Sequence, residues 1–335
     1  MKKILVTGGL GFIGSHTVVE LQQSSYEVVI IDNLYNSKID VLDNIISITG
    51  IKPEYYNIDL RNKKDVQEFF QNNKVDGIIH FAASKAIGES VEKPLEYYEN
   101  NIATLIYLLQ EAQQHQLSNF IFSSSCTVYG QADELPITEN APIKPAESPY
   151  GNTKQIGEEI LKESCNANGL KAIALRYFNP IGAHETTNIG ELPLGVPQNL
   201  IPYITQTAAG IREQLSVFGD DYDTIDGTAV RDYIHVVDLA KAHIAALKRL
   251  LDNNNKSNFE FFNVGTGKGS SVLEIIKAFE KVSNTKLNYK IVKRREGDIT
   301  AAYADTSFAN QELGWKTEKT LEEALLAAWK WQLKN

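Results

Sequence analysis

The sequence is poor in cysteine, has no long apolar run and carries no excess of positive charge. Among its 335 residues only Cys126 and Cys165 are cysteines. Two cysteines without zinc-ligand spacing exclude a disulfide-stapled secreted scaffold, so we expect a reducing, cytoplasmic location. No apolar run approaches the about 20 residues that a membrane-spanning helix requires, so we predict no association with a membrane.

The charge balance is acidic. The chain has 33 lysines and arginines against 42 aspartates and glutamates, a formal net charge of −9. Because nucleic-acid binding depends on neutralising phosphates, this balance argues against general affinity for nucleic acid, and an anionic ligand must be held by local basic groups. His80, His184, His235 and His243 show no metal-ligand spacing, which favours structural roles and predicts no metal site.

Short apolar segments alternate with amphipathic ones through the first half of the chain. With 335 residues, 43% of them hydrophobic, the chain can bury a large core. Alternation of strands and helices predicts an α/β fold built on a doubly wound parallel sheet. The predicted strands lie at residues 3–7, 27–31, 55–58, 77–83, 118–122 and 171–176, and predicted helices at 15–23, 63–71, 94–115 and 150–166.

A glycine-rich turn joins the first predicted strand to the first predicted helix. Its glycines fit the dinucleotide-binding pattern in two registers, Gly8/Gly11/Gly14 and Gly9/Gly11/Gly14. Glycines at these positions permit a tight turn and let backbone N–H groups approach a pyrophosphate. The pattern alone is weak, and an ordinary loop before a helix is the alternative.

Asp32, at the end of the second predicted strand, supplies the missing context. It follows the turn by roughly 20 residues, where the dinucleotide-binding (Rossmann) fold places an acid on the adenosine ribose hydroxyls. A carboxylate there repels a 2′-phosphate, and Asn33 adds no basic group to reverse this. The predicted cofactor is therefore NAD rather than NADP.

Three residues in the middle of the chain are candidates for proton transfer. Tyr150 and Lys154 lie four residues apart in a predicted helix that begins after Pro149, so they share one face. A fixed ammonium near a phenol favours the phenolate and lowers its pKa toward the range of a general base. Ser125, which follows a predicted strand, would relay or orient the proton. The alternative is an ordinary tyrosine in a first helical turn, since a bare Tyr-x-x-x-Lys pattern is unspecific.

The regular alternation ends after residue 178. Pro180, Pro193, Pro197 and Pro202 interrupt it, although a strand at 259–264 and a helix at 272–282 indicate a return to the sheet. We predict an NAD-binding domain over residues 1–178, with return segments near 230–265. A smaller, interleaved domain over 179–335 would bind mainly the substrate and would end in an amphipathic helix at 321–333.

Four longer strings are more specific than the glycine turn. They are Gly88–Val91, Pro94–Tyr98, Arg176–Pro180 and Val230–His235. Together with the glycine turn and the Ser125, Tyr150 and Lys154 set, they resemble the extended short-chain dehydrogenase/reductase family, and within it the UDP-glucose (UDP-galactose) 4-epimerases. The resemblance covers essentially the whole chain. It implies inversion at C4 of a UDP-hexose by transient oxidation to a 4-keto sugar with tightly bound NAD.

The resemblance also implies site residues, position by position. The implied NAD contacts are Gly8, Gly11, Phe12, Ile13, Gly14, Asp32, Asn33, Asp59, Leu60, Phe81, Ala82, Ala83, Lys85, Asn100, Tyr150, Lys154 and Phe178. The implied UDP-sugar contacts are Ser125, Tyr150, Asn179, Asn199, Leu200, Phe218, Arg231, Tyr233, Arg295, Asp298 and Ala302. The resemblance places Ala302 at the sugar end of the pocket, where members that favour plain hexoses have a bulky aromatic residue. The small alanine therefore predicts interconversion of UDP-GlcNAc and UDP-GalNAc as well. Arginines suit a diphosphate because the planar guanidinium group can bind it through two hydrogen bonds. The alternative is that these arginines are solvated at the surface, and residues 294–298 fit a solvated charged turn.

Other functions and assemblies are open on the sequence. A nucleotide-sugar 4,6-dehydratase also oxidises C4, but it needs an extra acid and base, and Ser125 is followed by Cys126 and Thr127 rather than by an Asp-Glu pair. A non-catalytic dinucleotide-binding protein would not require Ser125, Tyr150 and Lys154. The resemblance implies a homodimer formed by the helices near 94–115 and 150–166, whose apolar stripes fit core packing equally well.

Overall fold

The computed structural model describes residues 1–295 and 298–335. In chain order the strands are β1 Lys3–Thr7, β2 Glu27–Ile31, β3 Glu54–Tyr56, β4 Gly77–His80, β5 Asn119–Ser125, β6 Lys171–Tyr177, β7 Asn179–Ile181, β8 Leu215–Phe218, β9 Val230–His235, β10 Phe259–Val264, β11 Gly269–Ser271, β12 Tyr289–Val292 and β13 Ala301–Ala302. The strands of the first half match the predicted ones to within a few residues.

The helices in chain order are α1 Phe12–Gln23, α2 Asp40–Thr49, α3 Lys63–Asn72, α4 Ile87–Glu92, α5 Pro94–Tyr98, α6 Thr104–Gln114, α7 Pro149–Asn168, α8 Leu200–Ala208, α9 Val236–Leu251, α10 Val272–Ser283, α11 Ser307–Leu313 and α12 Leu321–Lys334. A π-helical turn, Glu99–Ala103, separates α5 from α6, and a 3-10 turn, Cys126–Tyr129, follows β5. The single helix predicted over 94–115 is therefore divided.

Seven parallel strands form the central sheet, in the order β10-β6-β5-β4-β1-β2-β3. Successive residues of β1 point to opposite faces, so Ile4 and Val6 belong to one core and Leu5 to the other. Helices α1 and α9 pack against each other on the first face, whereas α3, α6 and α7 cover the second. The predicted doubly wound sheet is confirmed. Its order reverses between β1 and β4, which is where such folds bind ligands.

The second half of the chain builds a smaller body and also completes the central sheet. Strand β9 pairs with β7, β11 and β13, and β8 pairs with β12. Helices α8, α10 and α12 close a third core around Ile204, Ile275, Phe279 and Leu325. Strand β10 returns to pair with β6, which makes the two bodies interleave. The domain limits given above stay a prediction.

The apolar stripe of α6 is part of the monomer core. Leu105, Leu108 and Ala112 are at most 1% exposed and pack with the sheet residues Phe120 and Phe122. This stripe therefore serves folding rather than assembly. Within the described residues, none of the helices has the length and apolarity needed to cross a membrane.

Candidate active site

The glycine turn after β1 is shaped for a phosphate. Gly8 has a positive φ of 68°, and a Cβ there would lie 2.8 Å from the Ala82 nitrogen. A Cβ on Gly14 would lie 2.2 Å from the Gly8 carbonyl oxygen. The N-cap residue of α1, Gly11, makes no side-chain capping bond, and the first turn contains no acid. The N–H groups at this helix start can therefore receive a pyrophosphate, as the predicted NAD site requires.

Asp32 connects the glycine turn to the end of β2. Its Oδ2 accepts from Leu10 N at 3.0 Å, and its Oδ1 accepts from Leu34 N at 2.9 Å and Ser37 Oγ at 2.8 Å. The carboxylate lies where the sequence predicts the ribose-binding acid. The three hydrogen bonds that hold the carboxylate in place could not be predicted from the sequence.

A basic residue at the same edge was also missed. Arg61 forms an ion pair with Asp59 at 2.6 Å, and this contact lowers the pKa of Asp59. The guanidinium is therefore already neutralised by a carboxylate. Its presence does not reverse the preference for NAD that Asp32 indicates.

The remaining predicted cofactor residues line the strand ends beside this turn. Phe81 N donates to Thr7 O at 3.0 Å, which holds the start of the 81–83 segment against β1. Asn100, in the π-helical turn, donates to Ser84 Oγ at 3.1 Å, and Lys85 forms an ion pair with Glu191 at 3.3 Å. Leu60 and Phe178 are buried. Phe81 and Lys85 follow β4 beside the crevice between β1 and β4, whereas Leu60 follows β3 and Phe178 follows β6.

The three candidate catalytic residues meet at the carboxyl edge of the sheet. Ser125 is the last residue of β5. Helix α7 begins after Ser148, whose Oγ accepts from the Gly151 N–H at 3.1 Å and so caps the helix. Lys154 Nζ lies 5.8 Å from the centroid of the Tyr150 ring. The Ser125 hydroxyl lies close enough to the Tyr150 phenol to lower its pKa. The predicted proximity is therefore present.

The electrostatics of the site differ from the expectation. Burial raises the pKa of Tyr150 to about 12, and the Ser125 hydroxyl offsets only part of this. Burial lowers the pKa of Lys154 to about 8, against the opposing charge of Glu158. Lys154 Nζ donates to Ser123 O at 2.7 Å instead of contacting the phenol. The lysine alone does not prepare Tyr150 as a base, so a further positive charge is needed.

A buried ionic network underlies this site and was not predicted. Glu158, one turn beyond Lys154, accepts from Arg176 Nε at 2.9 Å and from Ser124 Oγ at 2.5 Å. Arg176 Nη1 also donates to Tyr129 at 2.9 Å. The network fixes the end of β5 against α7. A glutamate four residues after Lys154 was the available signal in the sequence.

The predicted diphosphate clamp is assembled around one carboxylate. Asp298 accepts from Arg231 Nη2 at 2.9 Å through Oδ1 and from Arg295 Nη2 at 3.5 Å through Oδ2. Arg295 also lies over the Phe218 ring, 5.2 Å from its centroid. Residues 231 and 295 are thus brought together rather than solvated separately. Glu296 and Gly297 of the predicted charged turn lie outside the described residues.

The other predicted substrate residues lie on the same side. Asn179 in β7 is in register with Tyr233 in β9, and Asn199 precedes Leu200 at the start of α8. Ala302 is 2% exposed and packs with Val128, Ile137 and the half-buried Cys126, which directly follows Ser125. The structure therefore brings Asn179 next to Tyr233, and Arg231, Arg295 and Phe218 together around Asp298.

Comparison with known proteins agrees with this geometry. A family model described as GDP-mannose 4,6 dehydratase matches residues 5–327. The chain is 50% identical to the UDP-glucose 4-epimerase of Haemophilus influenzae, over 99% of this chain and 98% of the relative, and 49% identical to that of Bacillus subtilis, over 99% and 97%.

Solved structures give the same result. The UDP-glucose 4-epimerase of Stenotrophomonas maltophila with bound NAD and formylated UDP-arabinopyranose superposes with a TM-score of 0.96 at 46% identity, over 100% of this chain and 98% of that one. The Bifidobacterium longum enzyme in complex with NAD⁺ and UDP superposes with a TM-score of 0.95 at 47% identity, over 100% and 99%. The chain therefore belongs to the family that the dehydratase model describes and, within it, to the UDP-glucose 4-epimerases.

Proposed function

We propose that this chain is an NAD-dependent epimerase that inverts C4 of UDP-hexoses and so interconverts UDP-galactose and UDP-glucose. The observation that carries the proposal is the convergence of Ser125, Tyr150 and Lys154 on the sheet edge that also carries the glycine turn. Arg231 lies near enough to Cys126, the residue after Ser125, to lower the pKa of its thiol, and it meets Arg295 at Asp298. Relatives at 46–47% identity hold NAD together with UDP or a UDP-sugar.

The cofactor is held by the crevice between β1 and β4. N–H groups at the start of α1 bind the pyrophosphate, Asp32 binds the adenosine ribose, and Asp59 lies at the adenine end. Lys154 binds the nicotinamide ribose. Bound there, NAD would supply a hydride acceptor for the sugar C4 and a positive charge that favours the phenolate of Tyr150.

Proton transfer is assigned to Tyr150 and Ser125. The phenolate of Tyr150 takes the proton of the sugar 4-hydroxyl, directly or through Ser125 Oγ, as hydride leaves C4. The product is a 4-keto sugar. When hydride is returned to C4 on the opposite face of the sugar, Tyr150 gives the proton back to the C4 oxygen. Atoms and charges therefore balance over one cycle. Positive charge near the phenol is required because burial alone raises the pKa of Tyr150 to about 12.

The uridine diphosphate has to stay bound while the sugar turns over. Arg231 and Arg295 suit this role because their guanidinium groups converge on the Asp298 carboxylate, an anion of the kind that a diphosphate can replace. Bidentate contacts to the diphosphate would hold the nucleotide without restricting rotation of the sugar about its link to the phosphate.

A 4,6-dehydratase is a second candidate only because the matching family model carries that description. Elimination of water needs an acid and a base near the serine. Over residues 1–295 and 298–335, no carboxylate is hydrogen-bonded to Ser125, Cys126 or Thr127. The site supports epimerisation better.

One experiment separates these functions. Purified protein is incubated with UDP-galactose without added NAD, and the products are resolved by chromatography. UDP-glucose supports the epimerase, a 4-keto-6-deoxy sugar nucleotide supports the dehydratase, and unchanged substrate refutes both. Tyr150→Phe is the matched control because it removes only the titrating oxygen.

We also infer a cytoplasmic homodimer. Both cysteines are free, which suits a reducing compartment. The dimer prediction rests on the family resemblance and on the half-buried apolar residues Ile106 and Tyr107, which α6 leaves outside the core stripe. A monomeric mass in light scattering would refute the dimer.

A further inference from the structure

Glu191 joins two of the proposed binding regions, although no motif in the sequence includes it. Its Oε1 accepts a hydrogen bond from Asn199 Nδ2 at 2.6 Å and pairs with Lys85 Nζ at 3.3 Å. Lys85 follows β4 on the cofactor side, and Asn199 precedes α8 on the substrate side. One carboxylate oxygen therefore connects the two halves of the site.

The backbone of Glu191 is fixed by the last helix of the chain. Trp331 Nε1 donates to the Glu191 carbonyl oxygen at 3.0 Å. A Cβ on Gly190 would lie 2.6 Å from the Trp331 ring, so only glycine permits this close packing. The Glu191 side chain is 13% exposed, whereas that of Lys85 is 49% exposed. The carboxylate is thus the fixed partner, and the lysine and asparagine are positioned by it.

Asn199 occupies the N-cap position of α8 but does not cap it. Its φ of −97° and ψ of 149° suit an asparagine whose side chain accepts from a first-turn N–H, yet no such bond is present. The Asn199 amide donates to Glu191 instead. Because Pro202 is the third residue of α8 and has no N–H, Leu200 and Ile201 supply the donors at this helix start. Those donors stay open for a ligand.

We propose that Glu191 is a positioning residue for the UDP-sugar, an inference that rests on the function proposed above. It keeps Asn199 from capping α8, so the nucleotide meets an oriented amide and the first N–H groups of α8 without prior rearrangement. It also holds Lys85 at the junction between cofactor and substrate. Without Glu191, Asn199 is free to turn back and cap the helix.

The unfolding temperature distinguishes this positioning role from a purely structural role of the Glu191–Lys85 ion pair. A pair with a half-exposed lysine contributes little to stability, and a new cap on α8 adds to it. Loss of Glu191 is therefore expected to weaken ligand binding while the unfolding temperature is kept or raised. A structural role would lower the unfolding temperature together with the affinity.

The test measures UDP binding by calorimetry on the NAD-loaded protein. Glu191→Ala is expected to raise the Kd for UDP about tenfold, whereas Glu191→Gln, which keeps an oxygen for Asn199, stays within about threefold of wild type. The double variant Glu191→Ala/Asn199→Ala is expected to lose no more than the weaker-binding single variant. Glu213→Gln, at an exposed glutamate that is not among the predicted binding residues, is the matched control.

Several results would overturn the inference. They are wild-type affinity in Glu191→Ala, additive losses in the double variant, an equal loss in Glu213→Gln, and an unfolded or markedly less stable Glu191→Ala protein. Failure of the wild type itself to bind UDP would overturn both this inference and the proposed function. Wild-type binding that is indifferent to Glu191 would overturn the inference alone.

Discussion

Replacing Lys154 by methionine is expected to stabilise the protein while abolishing its activity. Lys154 is 4% exposed, and burial lowers its pKa to about 8 from 10.5. At about 1.4 kcal/mol per pH unit, keeping this lysine charged in the fold at neutral pH costs roughly 3 kcal/mol. Methionine fills a similar volume without charge but leaves Ser123 O without its donor, which costs about 1 kcal/mol. The expected net gain at pH 7 is about 1–2 kcal/mol.

The gain must depend on pH in one direction. Below about pH 8 the lysine is charged in both the folded and the unfolded state, so the full cost is present. Between about pH 8 and 10.5 the unfolded chain binds a proton that the folded protein does not, so the stability of the wild type rises with pH. The advantage of Lys154→Met is therefore largest below pH 8 and disappears as the pH approaches 10.5.

The assay is urea unfolding of cofactor-free protein between pH 6 and pH 10. Bound NAD has to be removed first, because it stabilises the wild type and the variant to different extents. Lys52→Met, at an exposed lysine, is the control and should change stability little at any pH. A Lys154→Met protein that is less stable than wild type at pH 7, or a difference that is constant over the whole pH range, would refute the reasoning.

Three further substitutions test other parts of the site. Tyr150→Phe is expected to lower kcat by at least about 100-fold while the Kd for UDP stays near that of wild type, because only the titrating oxygen is lost; full turnover would contradict the mechanism. Gly14→Ala places a Cβ 2.2 Å from the Gly8 carbonyl oxygen, so the variant should purify without NAD and melt earlier; full NAD occupancy, or NADP released from denatured wild type, would contradict the cofactor assignment. Ala302→Tyr should suppress UDP-GlcNAc/UDP-GalNAc interconversion more than UDP-glucose/UDP-galactose interconversion, as judged by kcat/KM; equal losses, or no N-acetyl activity in wild type, would refute the assigned role of Ala302.

The central sheet could be predicted because its signals are local. Parallel strands buried on both faces appear as continuous apolar runs, and the bounds of β1, β2 and β10 match those predicted. The break between α5 and α6 could not be predicted. In the π-helical turn, Asn101 bonds to Ser84 and to Thr153, which are distant in sequence, so tertiary contacts override a helical pattern.

The proximity of the three candidate catalytic residues could be predicted from the sequence, but their electrostatics could not. Spacing on one helix places Tyr150 near Lys154 whatever surrounds them. Their pKa values depend on burial, which raises the pKa of Tyr150 and lowers that of Lys154. Glu191 was missed for a related reason, since its importance comes from partners that the fold brings together.

The interleaved fold gives the two ends of the proposed substrate site different rigidity. The backbone of Ile137, in the segment that follows Ser125, accepts from Asn263 Nδ2 at 2.9 Å and donates to Tyr303 O at 2.9 Å. These bonds fix Ala302 relative to Ser125, so the wall at the sugar end is set by the core. At the other end Arg295 is 55% exposed and 3.5 Å from Asp298, a contact that a diphosphate can replace at little cost. An epimerase needs this arrangement. The groups that capture the nucleotide must be able to adjust, whereas the wall against which the sugar turns must stay rigid.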